Sequence, residues 1–284
     1  MCDCGDPTIT AVGVEKPKKN RVRLALDERF GEHTMGTGIA QSQSWTLRSS
    51  LLVSYSPLDR LTLAASVPLV SEWVSMPAMP AAGRQNITGL GDAELSARGV
   101  VWRNRRYSPS HLVSLVGGMK FPTAPRITDG AGYPYAEDDQ PGSGSFDPFA
   151  GVAYGWFGDK FATFASASYR LTTDGRHGYR RGMSVGGSAG VQYQPHAKVA
   201  VGLAADVRWA AADTMPNVDA MQVPMRADVP DTGGAMLALT PSVTVAPVER
   251  WQLRLAMQVH MGEWLYGAQS ESHALLLSTV VDIN

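Results

Sequence analysis

The sequence predicts an all-β protein: a single 12-stranded antiparallel up-and-down transmembrane β-barrel. Apolar and polar residues alternate along segments of about ten residues, longer than usual soluble strands and long enough for a tilted strand to cross a bilayer. Short and longer connections also alternate between these segments, which is typical of barrels with short periplasmic turns and longer extracellular loops. Aromatic residues lie near the ends of the apolar faces, as at a membrane interface.

The clearest unit is a hairpin that runs from Ser44 to Val70. Trp45, Leu51 and Val53 fall on one face of its first arm, where Ser49 is the polar exception. A turn at 57–59 contains proline and aspartate, which both favour chain reversal. The second arm alternates again, so the pattern indicates a β-hairpin.

The same alternation recurs along the rest of the chain. The remaining predicted strands are 21–30, 90–102, 112–122, 146–156, 161–171, 181–193, 198–209, 235–246, 251–261 and 273–283. With the two arms of the hairpin they make twelve, an even number as in bacterial barrels. Residues 1–20 precede the barrel 21–284 and are expected to form a tail or a small plug.

The connections separate into two kinds by length. The short ones are near 57–60, 103–111, 157–160, 195–197 and 247–250, and the longer ones near 31–43, 74–89, 123–145, 172–180, 210–234 and 262–272. This order places both chain termini at the periplasmic end. A soluble β-sandwich is the alternative, but it favours shorter strands and gives no reason for the alternating lengths.

Composition agrees with a barrel that is apolar outside and polar inside. Only 18% of residues are charged, while 44% are hydrophobic. The net charge of −1 gives no indication of nucleic-acid binding. The first residues lack the basic region and apolar stretch of a signal peptide, so we expect a mature chain whose signal was removed or missed. The expected location is the bacterial outer membrane.

The polar strand faces together predict a charged lumen with ten basic and six acidic side chains. The basic residues are Arg21, Arg23, Arg29, Arg48, Arg98, Lys120, Arg170, Arg180, Arg208 and Arg254, and the acidic residues are Asp27, Asp92, Glu94, Asp147, Asp206 and Asp282. This excess predicts a mild preference for anions. Alternatively, the charges pair between neighbouring strands and fill a narrow barrel. The residues expected to line the pore are Arg23, Arg48, Asp92, Glu94, Arg98, Lys120, Arg170, Asp206, Arg208, Arg254 and His260.

Cys2 and Cys4 are the chain's two cysteines. Their spacing closes too small a ring for an easy disulfide, but two thiolates could hold a soft ion such as Cu(I). Cys2 could instead be the lipidated first residue of a trimmed lipoprotein, or both could be free thiols in a tail without function. The histidines show no ligand spacing, and no local Ser/His/Asn cluster predicts a hydrolase. We therefore expect neither a cofactor nor enzymatic activity.

Three motifs resemble a known family. They are GLGD from Gly89 to Asp92, KFPT from Lys120 to Thr123, and GSGSFDP from Gly142 to Pro148. In order and spacing they are similar to the outer-membrane transporter barrels related to the phenol-degradation meta-pathway protein, over roughly residues 40–210. The chain departs from that pattern with Ala124 in place of glycine and Ser143 in place of threonine. The resemblance implies a barrel and a transport function.

These observations predict an outer-membrane pore or transporter for small solutes, acting by passive diffusion. The alternative is a non-conducting barrel that anchors or binds a component of a cell-envelope complex. The expected partners are outer-membrane lipid and small-molecule solutes, with envelope proteins as further candidates, and not nucleic acid.

Overall fold

A computed structural model describes residues 18–38, 41–76, 84–106, 108–218 and 222–283. Its strands are β1 (Arg21–Met35), β2 (Ser42–Leu58), β3 (Leu61–Ser75), β4 (Arg84–Leu90), β5 (Ala93–Arg103), β6 (His111–Phe121), β7 (Asp147–Phe157), β8 (Phe161–Arg170), β9 (Ser184–His196), β10 (Val199–Ala210), β11 (Thr214–Val218), β12 (Pro224–Asp228), β13 (Gly234–Val248), β14 (Trp251–Leu265), β15 (Gln269–Glu271) and β16 (Ala274–Asp282).

One antiparallel sheet closes on itself to form the barrel. Successive strands pair in chain order, and β1 pairs with both β2 and the last strand, β16. At two positions around the barrel one strand is divided into two pieces. β4 and β5 both pair with β3, and likewise β15 and β16 both pair with β1. Counting each divided strand once gives twelve, which confirms the predicted fold. β11 and β12 form a separate hairpin between β10 and β13.

Several strands extend beyond their predicted bounds at the end with the longer loops. β1 continues to Met35 and β14 continues to Leu265. In both strands the backbone hydrogen bonds to the neighbouring strands continue past the apolar segment, through residues that include polar ones. The predicted strand 90–102 is in fact interrupted at Gly91 and Asp92, between β4 and β5. The two ends of the barrel are called here the loop end and the turn end, and both described chain termini lie at the turn end.

The outer face of the barrel is apolar. Leu51, Leu203 and Leu255 point outward with 53%, 49% and 53% of their surface exposed. An apolar band that surrounds a protein is unfavourable in water, but a membrane-spanning barrel requires it. Ser49 also faces outward, and its hydroxyl donates a hydrogen bond of 2.7 Å to the Glu28 carboxylate, so the polar exception to the face has a polar partner.

Aromatic pairs mark both ends of this band. Phe30 stacks on Trp45 towards the loop end, with ring centroids 5.7 Å apart, and Phe161 stacks on Tyr193 at the turn end at 4.8 Å. Such rings suit the boundary between lipid and water. Within the described residues, no helix is both long and apolar enough to cross a membrane.

Replacing Leu203 with arginine tests whether this side of β10 faces lipid, as the structure indicates. We expect Leu203→Arg to lower the free energy of unfolding by about 2–4 kcal/mol, because the charge would enter the lipid near the middle of the band. Urea unfolding in lipid vesicles measures the change. Ser188→Arg is the control, since Ser188 faces the interior. Equal destabilisation by both substitutions would contradict the assignment.

Candidate functional site

The barrel encloses a cavity of ≈ 230 Å³. Small inward-facing residues on neighbouring strands leave this space: Ser166 and Ser168 on β8, and Ser184, Gly186 and Ser188 on β9. Phe149 and Phe164 contribute an apolar part of the same wall. The cavity therefore results from side-chain size along β8 and β9, where alternation places every second residue inside.

Charged side chains surround the cavity. The arginines that line it are Arg29, Arg48, Arg170, Arg208 and Arg254, and the inward-facing acids are Asp27, Glu94 and Asp206. Arg170 is 2.5 Å from Glu94 and also lies over the Phe149 ring, 4.9 Å from its centroid. Thr240 donates a hydrogen bond of 2.6 Å to Asp206. The arginines thus outnumber the inward acids at the cavity wall.

A smaller cavity of ≈ 60 Å³ lies next to the larger one. Its lining includes residues of the loops that follow β8 and β10, such as Arg181 and Asp213. Arg170, Ser184 and Arg208 line both cavities. The two cavities therefore share two arginine side chains at their boundary.

The structure brings together six of the predicted pore-lining residues. These six line the larger cavity: Arg48, Glu94, Arg170, Asp206, Arg208 and Arg254. Arg23 instead forms a 2.8 Å ion pair with Asp282 at the turn end, and Arg98 is buried on β5. Arg180, counted among the inward bases, lies in the loop after β8 and pairs with Asp174 at 2.8 Å.

Asp92 and Lys120 belong to a buried polar network at the barrel wall. Lys120 lines the smaller cavity and contacts both Asp147 and Ser143, while its ammonium is 3.6 Å from Asp92. Asp92 lines neither of the two cavities. The sequence predicted both residues inside the barrel but did not predict that they would contact each other.

His260 lies on β14, and its side chain is 3% exposed. Its Nδ1 atom lies 3.0 Å from the Glu271 carbonyl oxygen and 3.4 Å from the Glu263 carboxylate. The described part of the chain holds no group of three histidine, cysteine, aspartate or glutamate residues that could bind a metal ion. Cys2 and Cys4 lie outside the described residues, so their metal site stays a prediction.

Three interior acids were missed from the sequence. Glu72 on β3, Glu263 on β14 and Glu271 on β15 all lie past the predicted strand ends. Continued alternation would have found Glu72, which is 5% exposed and on the same face as buried Val70. Glu263 follows a register shift in β14, which interrupts simple alternation. These acids bring the interior closer to charge balance than ten against six.

The loop 122–146, between β6 and β7, folds against the inner side of β4. A Cβ atom on inward-facing Gly89 would lie 2.8 Å from the Ile127 Cδ1 atom. Gln140 is fully buried, and its side chain bonds the Ile127 backbone through both its oxygen and its nitrogen. Burial, together with the adjacent Asp138 charge, raises the pKa of Asp139 to about 6.

The comparisons with known proteins agree on the fold. No family model matches the sequence, and no curated protein matches it. The structure is similar to that of the COG4313 outer membrane channel from Pseudomonas putida F1, with a TM-score of 0.66 and 17% identity over 100% of both chains. At this identity the likeness shows a shared barrel fold.

Two further structures match with lower scores. The translocator domain of the autotransporter NalP from Neisseria meningitidis has a TM-score of 0.49 and 11% identity, over 95% of this chain and 91% of that chain. The P. putida toluene transporter TodX has a TM-score of 0.47 and 12% identity, over 94% and 91%.

The Asp139 carboxyl group should titrate with a midpoint near 6 instead of 3.8. The folded loop then holds this proton more tightly than an undocked loop. Docking is therefore favoured most at pH values below 3.8, and this advantage is lost as the pH rises through about 6. Carboxyl ¹³C NMR, assigned with Asp139→Asn, measures the midpoint. Asp138→Asn should lower it, and a midpoint near 3.8 in the unaltered chain would contradict loop burial.

Proposed function

We propose that the protein is a pore that lets small solutes diffuse across the bacterial outer membrane, with a mild preference for anions. The observation that carries this proposal is the pair of cavities inside an apolar-walled barrel, which meet at Arg170 and Arg208. Interior cavities lined by charged groups support a role in solute passage, since packed apolar residues would fill the same space at lower cost.

The preference for anions rests on the charge balance at the larger cavity. Five arginines and four acids, Asp27, Glu28, Glu94 and Asp206, line it, and the cavity is surrounded by protein and lipid of low dielectric constant. A net positive charge in such a site raises the local concentration of anions. Two ion pairs reduce the effect, so the preference is mild: Arg170 pairs with Glu94 at 2.5 Å, and Arg29 pairs with Glu271 at 4.0 Å.

We further propose that the turn end, with both chain termini, faces the periplasm, because short turns lie on that side in known barrels. The sequence resemblance to the transporter barrels related to the phenol-degradation meta-pathway protein supports the transport role. The P. putida protein with the same fold is described as an outer membrane channel, which agrees with it.

Replacing the cavity arginines tests the anion preference. Arg208→Gln and Arg254→Gln should each lower the anion-to-cation permeability ratio by about twofold, because glutamine keeps polarity and approximate size but removes the charge. Reversal potentials in planar lipid bilayers with a salt gradient measure this ratio. High salt should weaken the preference of the unaltered protein by screening.

Arg105→Gln is the matched control, since Arg105 is an exposed residue of the turn between β5 and β6. Its permeability ratio should equal that of the unaltered protein. Open channels with a preference for cations would refute the anion pore. If neither the unaltered protein nor a variant that lacks residues 1–17 gives any channel conductance, the alternative of a non-conducting barrel in a cell-envelope complex is favoured.

Filling the larger cavity should block the pore. Ser188→Trp adds a large ring to the wall of the cavity, so we expect the single-channel conductance to fall to about half or less. Ala189→Trp is the control, because Ala189 is the next residue on the same strand and points outward to lipid. A conductance equally unaffected by both substitutions would show that solutes do not pass through this cavity.

A further inference from the structure

Three sequence motifs meet at one point of the barrel wall. β4 ends at Leu90 and β5 begins at Ala93, while β6 ends at Phe121 and β7 begins at Asp147. β5 pairs with β6, but β4 pairs only with β3 among the described strands. The segments 89–92, 120–123 and 142–148 converge at this interruption, and we call their contacts the clasp.

Asp92 ties together both ends of the loop 122–146. Its Oδ1 atom accepts a hydrogen bond of 3.1 Å from the backbone amide of Ala124, at the start of the loop. Its Oδ2 atom accepts bonds from the Gly144 amide at 3.1 Å and the Ser143 hydroxyl at 3.3 Å, near the end of the loop. The Asp92 side chain is only 2% exposed, so water does not compete with these bonds.

Lys120 supplies the positive charge at the centre of the clasp. Its ammonium forms ion pairs with Asp147 and, at 3.6 Å, with Asp92, and it also contacts the Ser143 hydroxyl. The side chain of Lys120 is 9% exposed. A buried cation between two buried carboxylates is stable only while all three remain in place, since removal of one leaves an uncompensated charge.

Glycine permits the close approach of the loop to the wall. A Cβ atom on Gly142 would overlap both Ala124 and Asp92. On Gly91 it would lie 2.8 Å from the Pro68 side chain and 3.1 Å from the Pro141 carbonyl oxygen. Thr123 completes the junction by accepting a hydrogen bond of 2.8 Å from the amide of Ala93.

Two residues of the loop held in this way reach the inner side of the barrel wall. Ile127 and Pro141 contact the inward side of Gly89. From the loop after β8, Arg181 donates a bond of 3.2 Å to the Gln140 carbonyl oxygen, and Arg176 bonds the Ala124 carbonyl oxygen. The loop is therefore fastened to the wall on one side and to a second loop on the other.

We propose that the clasp fixes the loop 122–146 inside the barrel as the constriction that limits solute size, with Lys120 as its positioning residue. This inference rests on the proposed pore function. A loop fastened by buried ion pairs acts as a permanent part of the wall, so its position sets the free cross-section at the loop end. Release of the clasp widens the pore without altering the barrel strands.

A cysteine reporter tests the position of the loop independently of conduction. Ser145 is 2% exposed and bonds Ser143 at 2.6 Å, so Ser145→Cys, with Cys2 and Cys4 replaced by serine, introduces a shielded thiol. Adding Lys120→Met should raise its rate of reaction with a membrane-impermeant maleimide by about tenfold or more, because local opening exposes the group. In bilayers, Lys120→Met should increase the conductance and admit larger sugars in liposome swelling.

Arg103→Met is the matched control, because it removes the basic partner of another ion pair, with Asp59 at 3.0 Å at the turn end. It should change neither labelling nor size limit. If Lys120→Met does not fold, the milder Asp92→Asn should show the same changes. Unchanged labelling in a folded barrel, or faster labelling without a wider pore, overturns the inference. Silent bilayers for every variant defeat the pore function, while labelling still tests the clasp.

Discussion

The barrel depends on one constraint, the pairing of every backbone amide and carbonyl group that lies in lipid. An open sheet edge in a bilayer leaves such groups without partners at a cost of several kcal/mol each. β1 removes both edges at once by pairing with β2 and β16. Each strand then has one lipid-facing side and one interior side, which dictates the apolar outer wall and directs most polar side chains into the lumen.

Alternation made most of this fold predictable, because the outer face of every strand contacts lipid along the stretch that crosses the membrane. The hairpin 44–70 is the clearest case, and even its exception at Ser49 has a structural partner in Glu28. Strand ends were less predictable. Beyond the lipid the outer face no longer needs apolar residues, so nothing in the sequence of β1 indicates that it continues to Met35.

The interior charges were predictable as a set but not as contacts. The alternation of inward and outward residues places Lys120 and Asp92 inside the barrel. Their contact, however, depends on the interruption between β4 and β5 and on how the loop 122–146 folds back against the barrel wall. Glu263 was missed because the register shift in β14 reverses parity just before it. Which side chains meet, and where the loops run, is decided when the strands close into a barrel. The local alternation of residues along one strand does not encode this. The motif glycines, Gly91 and Gly142, were the visible sign of a close backbone approach.

Closure between the first and last strands also affects how the molecule is made. Arg23 pairs with Asp282, across almost the whole chain, so β1 keeps an exposed edge until β16 has arrived. During that interval the apolar strands can pair with other chains, which favours aggregation. The chain must therefore stay unassembled, and shielded from its neighbours, until its final residues are available. Loss of even the last strand would leave two unpaired edges, on β1 and β14, so truncation at the C-terminus is a more severe lesion than its length implies.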